Sequence, residues 1–174
     1  CARIEGDCGK PLACLDVGGG WHPDDFTTYL LPNLASMVSQ AKQNLTSLQS
    51  FVVEPGKALV QDCGALVTRV VDVRQRHDDG RDIIVDGAIS DLPDLWSHPH
   101  ALLIQDANGS WSVMPKVGAD RLLGRICMEH DILAFDVLAP QSLAIGDLLI
   151  ICDAGAYDWS MSYGFGTGTT RLNQ

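Results

Sequence analysis

The sequence predicts an α/β segment followed by an all-β domain. Three observations lead there. Two short apolar runs, Leu12–Val17 and Phe51–Val53, flank a stretch with helical periodicity. After Lys57 the helical pattern stops and short β-branched runs recur. Turn dipeptides and tripeptides separate those runs at regular intervals.

Residues 12–17 read as a buried strand ending at Gly18-Gly19-Gly20. Residues 24–45 read as a helix, because Phe26, Leu30, Leu34, Met37, Val38, Ala41 and Leu45 recur at spacings of three and four. Asp24 or Asp25 suits its N-cap, and Pro32 should kink it or move its start later. Strand, glycine turn, helix and strand make one right-handed βαβ unit.

Ala58–Arg74 then reads as a long apolar run without helix caps. Strand-like pieces follow at 82–89, 101–105, 111–117, 132–137 and 147–152. Asp78-Asp79-Gly80, Ala107-Asn108-Gly109, Ala139-Pro140 and Ala144-Ile145-Gly146 mark the turns between them. The tail from Gly164 to Gln174 is rich in Gly and Thr.

The chain has 174 residues and a formal net charge of −10, which argues against a nucleic-acid partner. No apolar run reaches the ~20 residues of a membrane span, and the amino terminus lacks an apolar signal core. The six cysteines are Cys1, Cys8, Cys14, Cys63, Cys127 and Cys152. In a chain this long and apolar, with Cys14, Cys63 and Cys152 in strand-like runs, reduced cytoplasmic thiols are expected. There is no Gly-x-Ser-x-Gly elbow, and the histidines do not pair with cysteines at zinc spacing.

Four motifs carry the chemistry. Asp16-Val17-Gly18-Gly19-Gly20 offers backbone N–H groups to an anion. Glu54-Pro55-Gly56-Lys57 puts an acid and a base at a strand end. Gly124–Asp131 carries Cys127, and Asp153–Tyr157 carries a tyrosine. Singly, the triplet reads as a turn and Cys127 as a core thiol. Their order resembles the carboxy-terminal portion of the ornithine/diaminopimelate/arginine decarboxylase family. That family's pattern runs Asp-X-Gly-Gly-Gly, Glu-Pro-Gly-Arg, Gly-Pro-X-Cys-(Asp/Glu)-X-X-Asp and Asp-X-Gly-Ala-Tyr.

The resemblance implies the last βα units of a TIM-like barrel (residues 1–57) followed by a C-terminal β-barrel or sandwich domain (residues 58–174). It implies pyridoxal 5′-phosphate as cofactor and a homodimer with active sites at its interface. Gly18, Gly19, Gly20, Gly56, Lys57 and Tyr157 would bind the phosphate side of the cofactor, and Glu54 would face its pyridine nitrogen. Cys127 would enter the partner's site and steer protonation. No lysine of the chain matches the family's cofactor-linking lysine, so the chain is expected to be a fragment, inactive alone.

Three departures stand out. Lys57 replaces the family's Arg, and Arg125 its Pro. Met128 replaces the acid that reads the substrate's distal end, with Glu129 one residue later on the opposite face of a regular strand. A second substrate-binding segment of the family would correspond to Leu95–His98, offering Ser97 and His98. His98 and His100 read equally well as polar loop residues.

The implied activity is decarboxylation of a diamino acid, or of a larger amide-linked or carboxylate-bearing derivative, in siderophore or polyamine assembly. The alternatives are a racemase on the same scaffold and a degenerate homologue acting as a regulatory binding partner.

Overall fold

The computed structural model describes residues 6, 7, 9–98, 100–105 and 108–166. Cys1, Cys8, Ala107 and the tail beyond Gly166 lie outside them. The chain forms two compact units, residues 1–61 and 62–174.

In the first unit, β1 (Cys14–Asp16) pairs in parallel with β2 (Ser50–Val52), in the register Leu15↔Phe51. Between them runs helix α1, in three consecutive stretches: Pro23–Asp25, a π turn at Phe26–Leu30, and Leu31–Asn44. Its apolar stripe is the expected one, with Leu30 and Leu45 buried and Phe26, Leu34, Met37, Val38 and Ala41 half-buried.

The start differs from expectation. The helix begins on Pro23, whose missing N–H costs nothing in a first turn, and the His22 side chain does not cap it. Pro32 stands in the first turn of the regular α-helical stretch that starts at Leu31. The preceding turn widens, with the Leu31 N–H donating to Phe26 O five residues back. That relieves the clash a proline ring makes with an α-helical carbonyl.

After β2 the chain enters helix α2 (Gly56–Val60) and a 3₁₀ turn (Gln61–Cys63) before β3 (Leu66–Gln75). The run from Ala58 is therefore part helix. The further strands are β4 (Arg81–Val85), β5 (Leu102–Gln105), β6 (Trp111–Val113), β7 (Asp120–Leu123), β8 (Ile132–Val137) and β9 (Leu148–Ile151). A 3₁₀ turn at Pro93–Trp96 and a short helix, α3 (Asp158–Met161), complete the second unit.

The seven strands β3–β9 form one sheet in the order β6-β5-β9-β3-β4-β7-β8. All neighbours are antiparallel except β4 and β7. The expected barrel or sandwich takes the form of a curled, mixed half-barrel sheet whose edges, among the described residues, are β6 and β8. β3 joins its halves. Residues 66–69 pair with β9, while 70–75 pair with β4 beyond a bulge at Val71. Bulges bend strands, and this one turns β3 from one half to the other.

Strand residues alternate between core and surface, as in a sheet with one solvated face. Val70, Ile83, Val85, Leu102, Ile104, Leu122, Leu149 and Ile151 line the core. A buried ion pair closes one side. Arg81 Nη2 lies 2.7 Å from Asp120 Oδ2 and also donates to Ala139 O.

Among the described residues Cys14, Cys63, Cys127 and Cys152 form no disulfide. Cys63 ends a 3₁₀ turn rather than lying in a strand. No described helix is long and apolar enough to cross a membrane.

Candidate cofactor and catalytic residues

In the first unit the loops after β1 and β2 are locked together. The Glu54 N–H donates to Gly18 O at 2.8 Å, and the Val17 N–H to Val52 O at 3.0 Å. A Cβ on Gly19 would overlap the carbonyl oxygen of Glu54, so a bare backbone is required at that position. Gly18 and Gly20 adopt φ +72° and +83° and have open space where a Cβ would be.

Glycines of positive φ flanking a residue of ordinary φ make a concave row of N–H groups suited to an anion. Gly18 N–H is taken by Asp16 Oδ1 at 2.8 Å, which leaves Gly19 and Gly20. Trp21, the next residue, buries its indole Nε1 with no acceptor among the described residues. A buried donor without a partner is costly, and here it fits an acceptor brought by a ligand. The glycine cradle and the Trp21 donor thus suit a phosphate.

Glu54 is exposed beyond the end of β2, and Gly56 and Lys57 open α2. Lys57 is itself buried. The sequence-predicted residues Gly18, Gly19, Gly20, Glu54, Gly56 and Lys57 all fall on these two adjoining loops.

In the second unit Cys127 is exposed on the connection between β7 and β8. It lies in a tight turn, not a strand. Met128 N–H donates to Ile126 O, and Asp131 N–H to Met128 O. The opposite-face argument for Met128 and Glu129 therefore fails. Glu129 is exposed, while Met128 sulfur accepts the Tyr163 hydroxyl at 3.8 Å.

Asp131 builds this turn. Its Oδ1 accepts Ile89 N–H at 2.7 Å and its Oδ2 accepts Ile126 N–H at 2.8 Å. Burial pushes its carboxyl above the ordinary 3.8, against the pull of those two bonds. The spacing Gly124–Cys127–Asp131 thus displays the thiol on an anchored loop.

Tyr157 follows β9 and is 48% exposed. Its φ is +65°, and Asp153 at the other end of the turn has φ +61°. Both are rare for residues with side chains.

Ser97 and His98 are both held by neighbours within this unit. Ser97 Oγ donates to Asp94 O at 2.8 Å and contacts Asp94 Oδ1. The His98 side chain is fully buried, with Nδ1 2.9 Å from Asp94 Oδ2 and Nε2 3.3 Å from Asp153 O. His98 thus serves the core and is not offered to a substrate. His100, buried beside it, meets Asp158 Oδ2 at 3.1 Å. Sequence reasoning missed Asp94 and Asp158, whose pairing bridges some sixty positions; the His98-Pro99-His100 doublet was the one local sign.

Residues 16–155 match the model of the pyridoxal-dependent decarboxylase C-terminal sheet domain. The chain is 34% identical over 163 residues to diaminopimelate decarboxylase of Neisseria meningitidis, covering 88% of this chain and 36% of the relative. It is 30% identical over 166 residues to 2-[(L-alanin-3-ylcarbamoyl)methyl]-2-hydroxybutanedioate decarboxylase of Staphylococcus aureus, covering 88% and 40%. Among solved structures, diaminopimelate decarboxylase from Helicobacter pylori complexed with L-lysine superposes with a TM-score of 0.70 at 27% identity. That match covers 94% of this chain and 39% of the other. The chain therefore spans about two fifths of the length of these relatives. A family match across most of the chain, together with the sheet that carries it, makes this chain a member of the pyridoxal-dependent decarboxylase family, matched through its C-terminal sheet domain.

Proposed function

We propose that the protein carrying this chain is a pyridoxal-phosphate-dependent amino-acid decarboxylase whose substrate is an amide-linked or carboxylate-bearing derivative of a diamino acid. Residues 1–57 supply the end of its cofactor-binding barrel, and residues 58–174 its C-terminal domain. The carrying observation is the glycine nest at Gly18 and Gly20, tied through Gly19 to the backbone of Glu54.

When bound, the cofactor supplies an electron sink for the carbon that loses carbon dioxide. Gly19 and Gly20 N–H groups hold its phosphate, with Gly18 shaping the turn, Gly56 opening α2 beside it, and Lys57 contributing a point charge in place of a fork. Glu54 holds a proton at the pyridine nitrogen. Cys127 would deliver a proton from Sγ at the active site of a second copy, and Tyr157 would contact the cofactor near its phosphate.

The substrate class is supported by Met128 standing where an acid is usual. Such a position pairs poorly with a free distal ammonium. The name of the Staphylococcus aureus relative, an amide-linked hydroxy acid decarboxylase, points the same way.

The test is carbon dioxide release by the complete protein with pyridoxal phosphate, against ornithine, lysine, diaminopimelate and citrate amides of diamino acids. Release from the amides above the free diamino acids is expected. Silence with every substrate, together with capture of an active decarboxylase, would favour the regulatory alternative; interconversion of enantiomers without gas would favour a racemase.

A further inference from the structure

Four buried polar side chains in the second unit have no part in the proposed chemistry. His98 and His100 stack with ring centroids 4.2 Å apart and planes inclined by 27°. Asp94 flanks His98 and Asp158 flanks His100. His100 and Asp158 are 2% and 1% exposed.

The stack is tied to both ends of one turn. His98 Nε2 lies 3.3 Å from Asp153 O, and His100 Nε2 lies 3.1 Å from Asp158 Oδ2. Asp94 N–H donates to the other oxygen of Asp158 at 2.9 Å. Asp153 begins the turn at φ +61°, and Tyr157, just before Asp158, ends it at φ +65°. Side-chain-bearing residues stay in that conformation only where their surroundings hold them.

Every ring nitrogen faces an oxygen. His98 meets Asp94 Oδ2 and Asp153 O, and His100 meets His98 O and Asp158 Oδ2. A neutral imidazole has one N–H and can satisfy one of its two oxygens. Each ring thus bridges a carboxylate and a backbone carbonyl. A Leu in either place would remove the imidazole from one oxygen of a buried carboxylate, which is costly even though Asp94 N–H still reaches Asp158 and Ser97 Oγ still reaches Asp94.

We propose that His98 and His100 are positioning residues: with Asp94 and Asp158 they form a buried clamp that holds the Asp153–Tyr157 turn and so fixes the direction in which Tyr157 is presented. The consequence for the cofactor rests on the role proposed above for Tyr157; the clamp itself does not.

The test uses the complete protein loaded with pyridoxal phosphate. His100→Leu should speed amide hydrogen exchange at residues 154–161 at least tenfold, leaving β3, β4 and β7 within twofold of wild type. His100→Gln, which keeps a donor toward Asp158, should recover most of that protection. Leu122→Ala, which opens the core away from the stack, should not produce the local pattern. If His100→Leu does not fold, Asp158→Asn carries the same expectation. Unchanged exchange at 154–161, uniform loosening of the sheet, or a Gln variant no better than Leu would overturn the clamp. Cofactor release is read on the same samples. A mobile turn with unaltered release upholds the clamp and removes Tyr157 from the cofactor site.

Discussion

The carboxylate of Asp131 occupies the space in which a side chain on Gly124 would begin. Gly124 N–H also donates to Asp131 O at 2.9 Å, so the two residues close the Cys127 loop from opposite ends. Glycine is required here for close approach rather than for an unusual φ.

Gly124→Ala should therefore cost about 1–3 kcal/mol through overpacking and change the rate at which Cys127 reacts with a thiol reagent. Asp131→Ala relieves the overlap but strands the Ile89 and Ile126 N–H groups, at about 1–3 kcal/mol for each. Thermal melts and mass-resolved labelling of Cys127 read both effects. Wild-type melting and labelling in the two variants would remove Asp131 as the anchor of the loop.

Asp120 and Asp131 should titrate with opposite sign. Burial alone would raise the Asp120 carboxyl, but hydrogen bonds from Arg81 and Ala139 and the Arg81 charge hold it below 3.8. Its contribution to stability is present above 3.8 and is lost as pH falls through the lower folded value. Asp131 is raised by burial, so its contribution is present below 3.8 and is lost as pH rises through the higher folded value. Urea melts from pH 3 to 7 should show Asp120→Asn removing the acid-side loss and Asp131→Asn removing the other. Asp120→Asn should also cost about 3–5 kcal/mol at neutral pH, because it leaves the Arg81 charge buried without its partner. Parallel pH profiles for wild type and both variants would refute the assignment.

Glu54→Gln should damage turnover more than cofactor retention. The amide cannot keep the pyridine nitrogen protonated, whereas the phosphate contacts are untouched. A loss of about 10²-fold or more in kcat is expected, within the range of acid–base contributions. Cofactor affinity by absorbance titration should stay near wild type; equal losses of both would count against the role.

Gly19→Ala should do the reverse. A methyl group there overlaps the Glu54 carbonyl oxygen and must part the two loops. Weaker binding of pyridoxal phosphate is expected, along with weaker binding of inorganic phosphate as competitor. Unchanged affinity for both would show that the nest does not hold the phosphate.

The legible parts of the fold were those with local periodicity. The stripe from Phe26 to Leu45 announced α1, and the short apolar run at 132–137 announced β8 to the residue. β7 escaped notice because it is four residues long with Asp120 and Arg121 at its start; Asp120 is buried only because Arg81 reaches it across the sheet. The π turn before Pro32 leaves no trace in side-chain pattern. Within the candidate site, the glycine spacing was legible because it answers to backbone conformation. Where Tyr157 and His98 point was not, since that depends on Asp94, Asp153 and Asp158 meeting through the fold.

The strand order sets the timetable of assembly. Among the described residues β9 follows every other strand in sequence, yet it lies between β5 and β3. Until Ile151 has left the ribosome, β5 with β6 and β3 with β4, β7 and β8 are separate patches, each showing an unpaired edge. Open edges invite pairing with other chains, and incompletely folded species are prone to aggregate. A chain stopped before Leu148 should therefore precipitate or be held by a chaperone rather than persist as a looser monomer. The central staple of the sheet thus arrives after all the strands it joins.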